Sequence, residues 1–299
     1  MRAIQIDRFG GPDVAVLRDV PDPVPGPGEV LVRTVAATVN PVDYKSRIGF
    51  VRNPEWRFPL GLGRDLAGVV VSSEDPAWRS GDAVVAAVPQ WGSGRGSWAE
   101  LVTVPGTLLA HAPRSLPLVE AAALPLAGLT AWQSLELADP QPGDHVLVVG
   151  AAGAVGSLVV QLAVARGLAV DALVTRDAHV ALVRELGAGA ATRDAAALPT
   201  GRYHVAIATA SGVPVAHSLV PGGRYVTICD DPGIDDLEGH PVRHVSVRED
   251  GKDLASLVEL VDARRLQARV ARSYPVAEHL AACAAAEAGG LAGKVVLTF

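Results

Sequence analysis

The segment HVLVVGAAGAVGSLVVQLA places Ala151, Gly153 and Gly156 in the spacing of a dinucleotide-binding turn, G-x-G-x-x-G, with alanine in the first place and Gly150 just before it. An apolar strand leads into the turn and a helix leads out, which is the context this chemistry needs. Glycine at 153 lets the backbone approach a pyrophosphate, and glycine at 156 lets the helix pack close to the strand. The helix N-terminus supplies N–H groups and the positive end of its dipole. The expected cradle therefore runs through Ala151, Ala152, Gly153, Ala154, Val155 and Gly156.

The tip of the next strand selects the cofactor. A carboxylate there holds the ribose 2′-hydroxyl of NAD and repels a 2′-phosphate. This chain instead reads Ala172-Leu173-Val174-Thr175-Arg176. Thr175 offers a hydroxyl, and Arg176 offers a guanidinium that grips phosphate with forked hydrogen bonds. Arg193, after the following short strand, is expected to converge on the same spot. Asp171 comes too early for the ribose role, and Asp177 lies just past the tip. NADPH is the expected cofactor.

A third group of chemistry-bearing residues lies in NPVDYKSRIG. An acceptor that takes a hydride from a nicotinamide builds up negative charge, which the protein must meet with donors. Asn40 offers an amide donor. Lys45 offers a cation for the cofactor ribose or the substrate oxygen, and Tyr44 is an alternative acid.

Two kinds of fold must position these residues. The first third of the chain has strand patterns at Ala3–Ile6, Glu29–Ala37, Gly68–Ser72, Ala83–Val88 and Trp98–Val104, separated by breakers such as PDPVPGPG and GSGRG. This predicts a compact, mostly antiparallel or barrel-like unit. From about Leu116 the pattern alternates. Helices are expected at Leu118–Leu137, Val155–Arg166 and His179–Leu186, and strands at His145–Gly150, Ala169–Val174, His204–Ala208 and Arg224–Cys229. Such alternation implies βαβ units and a parallel sheet. A helix near Val276–Ala288 and a strand at Lys294–Phe299 follow.

With 299 residues, two domains are the default. A net charge of −6 with no basic block argues against nucleic acid or an anionic membrane as partner. The stretch MRAIQIDRFGG has no apolar signal region, and no apolar run reads as a membrane span. The only cysteines, Cys229 and Cys283, are expected to be buried, unpaired thiols of a cytoplasmic protein.

Taken together, VPDPVPGPGEVLVR, NPVDYKSRIG, GRDLAGVV, ALPLAGLTAWQSL, GAAGAVGSLVVQLA, LVPGGRYVTI and GKVVLTF resemble the medium-chain dehydrogenase/reductase superfamily, in order and in spacing. Within it the chain is similar to the zinc-independent quinone oxidoreductases and their enone and alkenal reductase relatives. The resemblance implies an α/β fold. A doubly wound Rossmann domain, residues 116–261, would sit beside a GroES-like, mostly-β domain built from both chain ends, residues 1–115 and 262–299, with the site in the cleft between them.

The resemblance also implies roles. Lys45 is similar to the lysine of the Asn-Pro-Val-Asp-x-Lys pattern of enone and alkenal reductases. Quinone reductases carry tyrosine there, and enoyl thioester reductases carry one slightly later, where this chain has Gly49-Phe50-Val51. Thr130 resembles a threonine that lies along the cofactor, although a helix hydroxyl bonded to its own backbone is an equal alternative. The zinc-ligand positions resemble Asn40 and Gly63-Arg64-Asp65, so no metal site is expected. Arg64 replaces a neutral residue at the edge of the cleft and would favour a negatively polarised substrate; Asp65 and Gly68 are expected to be turn and packing residues. Phe50, Trp56 and Trp91 suggest an apolar enone, enoyl or quinone acceptor. A homodimer is expected through the Rossmann domains, with His244–Val247 as an exposed edge strand. The competing expectation is a non-catalytic NADPH-binding sensor or structural protein of the same fold.

Overall fold

Alternating apolar residues in the first third of the chain build a strand-rich half. Its elements are β1 (Arg2–Ile6), β2 (Val16–Asp19), β3 (Glu29–Val39), α1 (Pro41–Arg47), β4 (Leu60–Gly61), β5 (Asp65–Ser73), β6 (Ala83–Ala87), α2 (Gln90–Ser93), β7 (Leu101–Pro105) and β8 (Leu109–His111). The middle of the chain gives α3 (Leu118–Ala121), α4 (Pro125–Ala138), β9 (His145–Val149), α5 (Ala154–Ala165), β10 (Ala169–Leu173), α6 (Ala178–Glu185), β11 (Ala191–Thr192), β12 (Tyr203–Ala208), β13 (Leu219–Thr227), β14 (Asp236–Leu237), β15 (His240–His244) and α7 (Gly251–Asp262). It closes with β16 (Val270–Pro275), α8 (His279–Glu287) and β17 (Lys294–Thr298). The computed structural model describes residues 1–229 and 236–299.

The middle strands pair in the order β11-β10-β9-β12-β13-β15, all parallel, with β14 antiparallel on the outer edge. Counted within this sheet, the order is that of a Rossmann fold, and it reverses between β9 and β12. Both neighbours of that reversal end at the same edge: Thr209, just past β12, donates its amide to Val149 O at 2.8 Å. Strands β9 and β12 are buried on both faces, as parallel strands covered by helices must be.

The second sheet runs β16-β17-β3-β5-β6-β8, with β7 also on β3. Strand β17 pairs antiparallel with β3, Val295 opposite Val39 and Leu297 opposite Ala37. The two sequence-distant ends of the chain thus share one sheet, as the resemblance implied. Strand β16 has no apolar alternation to announce it; its sequence is VARSYP and most of it is exposed. It forms because β17 offers it a parallel edge.

Two expectations need correction. The single helix expected over Leu118–Leu137 is two, α3 and α4, because Pro125 cannot donate an amide to the preceding turn and instead opens a new helix. The apolar edge strand expected at His244–Val247 is not one. Strand β15 ends at His244 and is paired on both sides, while Val245 and Val247 pack half-buried against the core.

Candidate active site

The glycine turn lies at the carboxyl end of β9, where the strand order reverses. Gly150 adopts φ +77°, a conformation open mainly to glycine, and donates to Leu173 O at 2.9 Å. The buried Ala151 amide donates to the same carbonyl at 3.1 Å, and Gly153 N donates to Gly150 O at 3.0 Å. These two amides build the turn and are not left for a phosphate, which corrects the expectation for Ala151. A side chain on Gly156 would drive into the Gly150 carbonyl and come within 2.9 Å of Ala151 Cα, so helix α5 can lie this close only with glycine there. A side chain on Gly153 would meet only Gly150 O, at 3.3 Å. No side chain caps α5. The amides of Ala154, Val155 and Gly156, in its first turn, have no intrahelical acceptor. Ala152 is buried beneath them.

At the tip of β10, Thr175 and Arg176 are exposed. The Arg176 guanidinium reaches across the cleft and lies against Gly290, in the turn that precedes β17. Arg193 does converge on this tip, but its Nη1 donates to Asp177 Oδ2 at 3.0 Å, and both side chains are exposed. Thr130 is half-buried on α4, and its hydroxyl donates to Leu126 O at 2.6 Å, the local helix bond of the alternative reading.

On the other wall, α1 carries Tyr44 and Lys45, both half-buried. The Lys45 ammonium stands 5.9 Å from the Phe50 ring centre, and Phe50 is exposed. Trp56 and Trp91 meet edge to face at 5.4 Å, with Trp56 Nε1 donating to Trp91 O at 2.7 Å.

Asn40 is placed differently from expectation. It is buried, and its amide donates to Thr38 Oγ1 at 3.2 Å and to Asp65 Oδ2 at 2.8 Å. Its oxygen accepts a hydrogen bond from Lys294, which also donates to Asp65 Oδ2 at 2.9 Å. Asn40 therefore has no amide hydrogen left to aim at a substrate; it positions Lys294 and Asp65.

Asp65, expected to be a turn or packing residue, is the hub. It is fully buried and accepts from Thr38, Asn40, Lys294 and, at 2.6 Å, the Leu126 amide in the first turn of α4. Burial pushes its carboxyl up, but the Lys294 charge and these hydrogen bonds outweigh burial and hold it below the usual range. One carboxylate thus joins β3, β5, β17 and the N-terminus of the Rossmann helix α4. Lys294 went unnoticed in the sequence because its partners lie 229 and 254 residues away. A lysine at the head of an apolar strand was the only available signal.

Asp43 sits nearby and has a different fate. It accepts the amides of Asn40 at 2.7 Å and Gly63 at 3.0 Å, yet burial pushes its carboxyl up to about 7. Gly68 keeps its expected packing role, since a side chain there would press on Val32.

Arg64 precedes β5 and is buried. Its guanidinium pairs with Glu249, in the segment that follows β15, while its Nε is buried without a hydrogen-bond partner. The backbone of Arg248, next to Glu249, is held by Gln133 of α4, which donates to Arg248 O and accepts from Arg248 N, both at 2.9 Å.

Among the described residues, no group of three or more His, Cys, Asp or Glu side chains is placed to hold a metal. The zinc-ligand positions implied by the resemblance carry a committed amide, Asn40, a cation, Arg64, and Asp65, whose carboxylate is taken up by Lys294, Thr38, Asn40 and the Leu126 amide. That donor set does not fit zinc, which takes thiolate, imidazole or carboxylate ligands.

Comparison with known proteins agrees with this architecture. Residues 26–114 match the alcohol dehydrogenase GroES-like domain, and residues 190–297 match the zinc-binding dehydrogenase family. The chain is 30% identical to the NAD(P)H oxidoreductase RTN4IP1, mitochondrial, of Mus musculus, over 91% of this chain and 82% of that one. It is 37% identical to the NADPH-dependent alkenal/one oxidoreductase, chloroplastic, of Arabidopsis thaliana, over 63% of this chain and 51% of that one. The structure of the quinone oxidoreductase from Coxiella burnetii superposes with a TM-score of 0.90 at 28% identity, covering 100% of this chain and 99% of the other. With its split GroES-like sheet, its Rossmann sheet and full-length similarity to oxidoreductases of this build, the chain belongs to the medium-chain dehydrogenase/reductase superfamily.

Proposed function

We propose that the chain is an NADPH-dependent reductase that transfers hydride to the activated C=C bond of an enone or enoyl compound, or to a quinone, without a metal. The observation that carries this reading is the pairing of an uncapped helix N-terminus at the sheet reversal with zinc-ligand positions filled by Asn40, Arg64 and an Asp65 that is neutralised by Lys294. The names of the relatives, quinone oxidoreductase and alkenal/one oxidoreductase, support the substrate class.

NADPH, when bound, supplies the hydride. The chain's own residues do the rest. The first-turn amides of α5 hold the pyrophosphate. Thr175 and Arg176 meet a 2′-phosphate with a hydroxyl and a guanidinium, and no carboxylate stands at the tip itself. Lys45 and Tyr44 form the α1 wall, Lys45 as a cation for the substrate oxygen and Tyr44 as an acid. The test is NADPH oxidation with a panel of quinones and enones, repeated after chelator treatment. Turnover that survives chelation is expected. Binding of NADPH without turnover of any acceptor would favour a sensor and overturn the assignment.

We also propose a cytoplasmic homodimer joined at the outer edge of the Rossmann sheet, where the described edge strand β14 is only two residues long. Sedimentation at micromolar concentration should show a dimer; a monomer alone would refute it.

A further inference from the structure

Arg64 is a cation in an unusual place. It is 8% exposed, and its Nε has no hydrogen-bond partner although it is buried. Leaving such a donor unmet is costly, so its persistence calls for a reason. Its one ion-pair partner among the described residues, Glu249, comes from the other domain and lies just beyond β15, on the edge where the parallel strands end. Ligands of open parallel sheets bind outside that edge. The Arg64 carbonyl accepts from Val88 N at 2.6 Å, which ties Arg64 to the corner that leads into α2 and Trp91. The guanidinium thus meets Glu249 at the edge where the parallel strands end, while its backbone neighbour in β5 is the Asp65 hub.

We propose that Arg64 acts with Lys45 as a second group that receives the charge developing on the substrate oxygen, and that Glu249 holds it in place between turnovers. The inference rests on the reductase reading and narrows its substrate class to acceptors whose carbonyl oxygen becomes anionic. In an enone, a C–H bonding pair leaves the dihydronicotinamide and forms a new C–H bond at the β-carbon. The C=C pair shifts toward the carbonyl, the carbonyl π pair moves onto oxygen, and the dihydronicotinamide is oxidised. The enolate oxygen then accepts from the guanidinium, whose unmet Nε–H is a donor in waiting. A proton from Tyr44 or from water reaches the α-carbon afterwards. A guanidinium suits this task because it keeps its charge when buried and presents several N–H donors in one plane.

The test compares Arg64→Gln, Arg64→Lys, Glu249→Gln and the double variant Arg64→Gln/Glu249→Gln in the full chain, with NADPH and a simple alkenal or benzoquinone. Turnover, NADPH affinity and thermal unfolding are read separately. Arg64→Gln should lower kcat on the order of a hundredfold, as does loss of an oxyanion donor, while NADPH affinity changes less than about twofold. Arg64→Lys should recover part of the loss. Glu249→Gln should raise kcat by about twofold or more, because a negative neighbour no longer offsets the cation. The double variant buries no unpaired charge, so it also serves where Arg64→Gln alone does not fold; it should stay as slow as Arg64→Gln. The inference is overturned if both single variants lose activity together with stability and the double variant restores it, since Arg64–Glu249 would then be only a bridge between domains. A wild-type chain that binds NADPH but reduces no acceptor overturns the reductase reading itself, and this inference with it.

Discussion

Lys294 donates to Asp65 at 2.9 Å inside a site where Asp65 is fully buried and Lys294 nearly so. The pair is closed by Asn40 and Thr38, so neither charge meets water. Lys294→Met should therefore destabilise the fold by about 3–5 kcal/mol, because Asp65 keeps a buried charge without its counter-ion. Lys294→Met combined with Asp65→Leu should recover much of that loss. Urea unfolding of the three variants measures it, and an additive double variant would show that the two charges do not depend on each other.

The buried carboxylates give stability two opposite pH dependences. The Asp43 carboxyl titrates at about 7 in the folded chain, above its ordinary value of 3.8. Between those values the folded state keeps a proton that the unfolded chain has lost. Stability should fall as pH rises through that window and level off above it. Asp65 is held below the usual range, so its contribution is present above that range and lost as pH falls through it. Denaturant midpoints at pH 5 and pH 8 test the first effect. Asp43→Asn should flatten that difference, and an unchanged slope would remove Asp43 as its source.

Cofactor preference should follow Arg176. A charge-assisted contact contributes about 1.5–3 kcal/mol, which is roughly a ten- to hundredfold preference for NADPH over NADH. Arg176→Ala should lose most of it and leave NADH affinity nearly unchanged. Arg193 is paired with Asp177, so Asp177→Asn should release it and strengthen NADPH binding. Titration of both cofactors into the variants decides, and equal wild-type affinities would end the argument.

Lys45→Ala should lower turnover more than NADPH affinity, on the order of tenfold or more, if the lysine serves the substrate oxygen. Single-turnover rates at saturating NADPH separate the two effects. A collapse of NADPH binding with an unchanged rate would make Lys45 a cofactor residue.

The parts of the fold legible in the sequence were those set by local pattern. The glycine turn, the alternation of β9, α5 and β10, and Thr175-Arg176 at the strand tip follow from spacing and periodicity. The return of β17 to the first sheet came from resemblance, because no local signal tells a terminal strand where to pair. The Asp65 hub was hidden for the same physical reason. Thr38 and Asn40 at the end of β3, Leu126 in α4 and Lys294 in β17 converge on it from three distant parts of the chain, and a lone Asp after Gly63-Arg64 reads as a turn. Asn40 was found as a residue but not in its role, since only the packed structure shows that Asp65 and Thr38 take its amide hydrogens.

The pairing of β17 with β3 sets the order in which this protein can be finished. During synthesis, β3, β5 and α4 leave the ribosome long before residue 294 does. Until then Asp65 and Asn40 have no counter-ion, and the inner edge of β3 stands open. Waiting sheet edges of this kind attract wrong partners. The half-made chain is thus the stage most in need of a chaperone, and the last strand closes the sheet and neutralises the site in a single event.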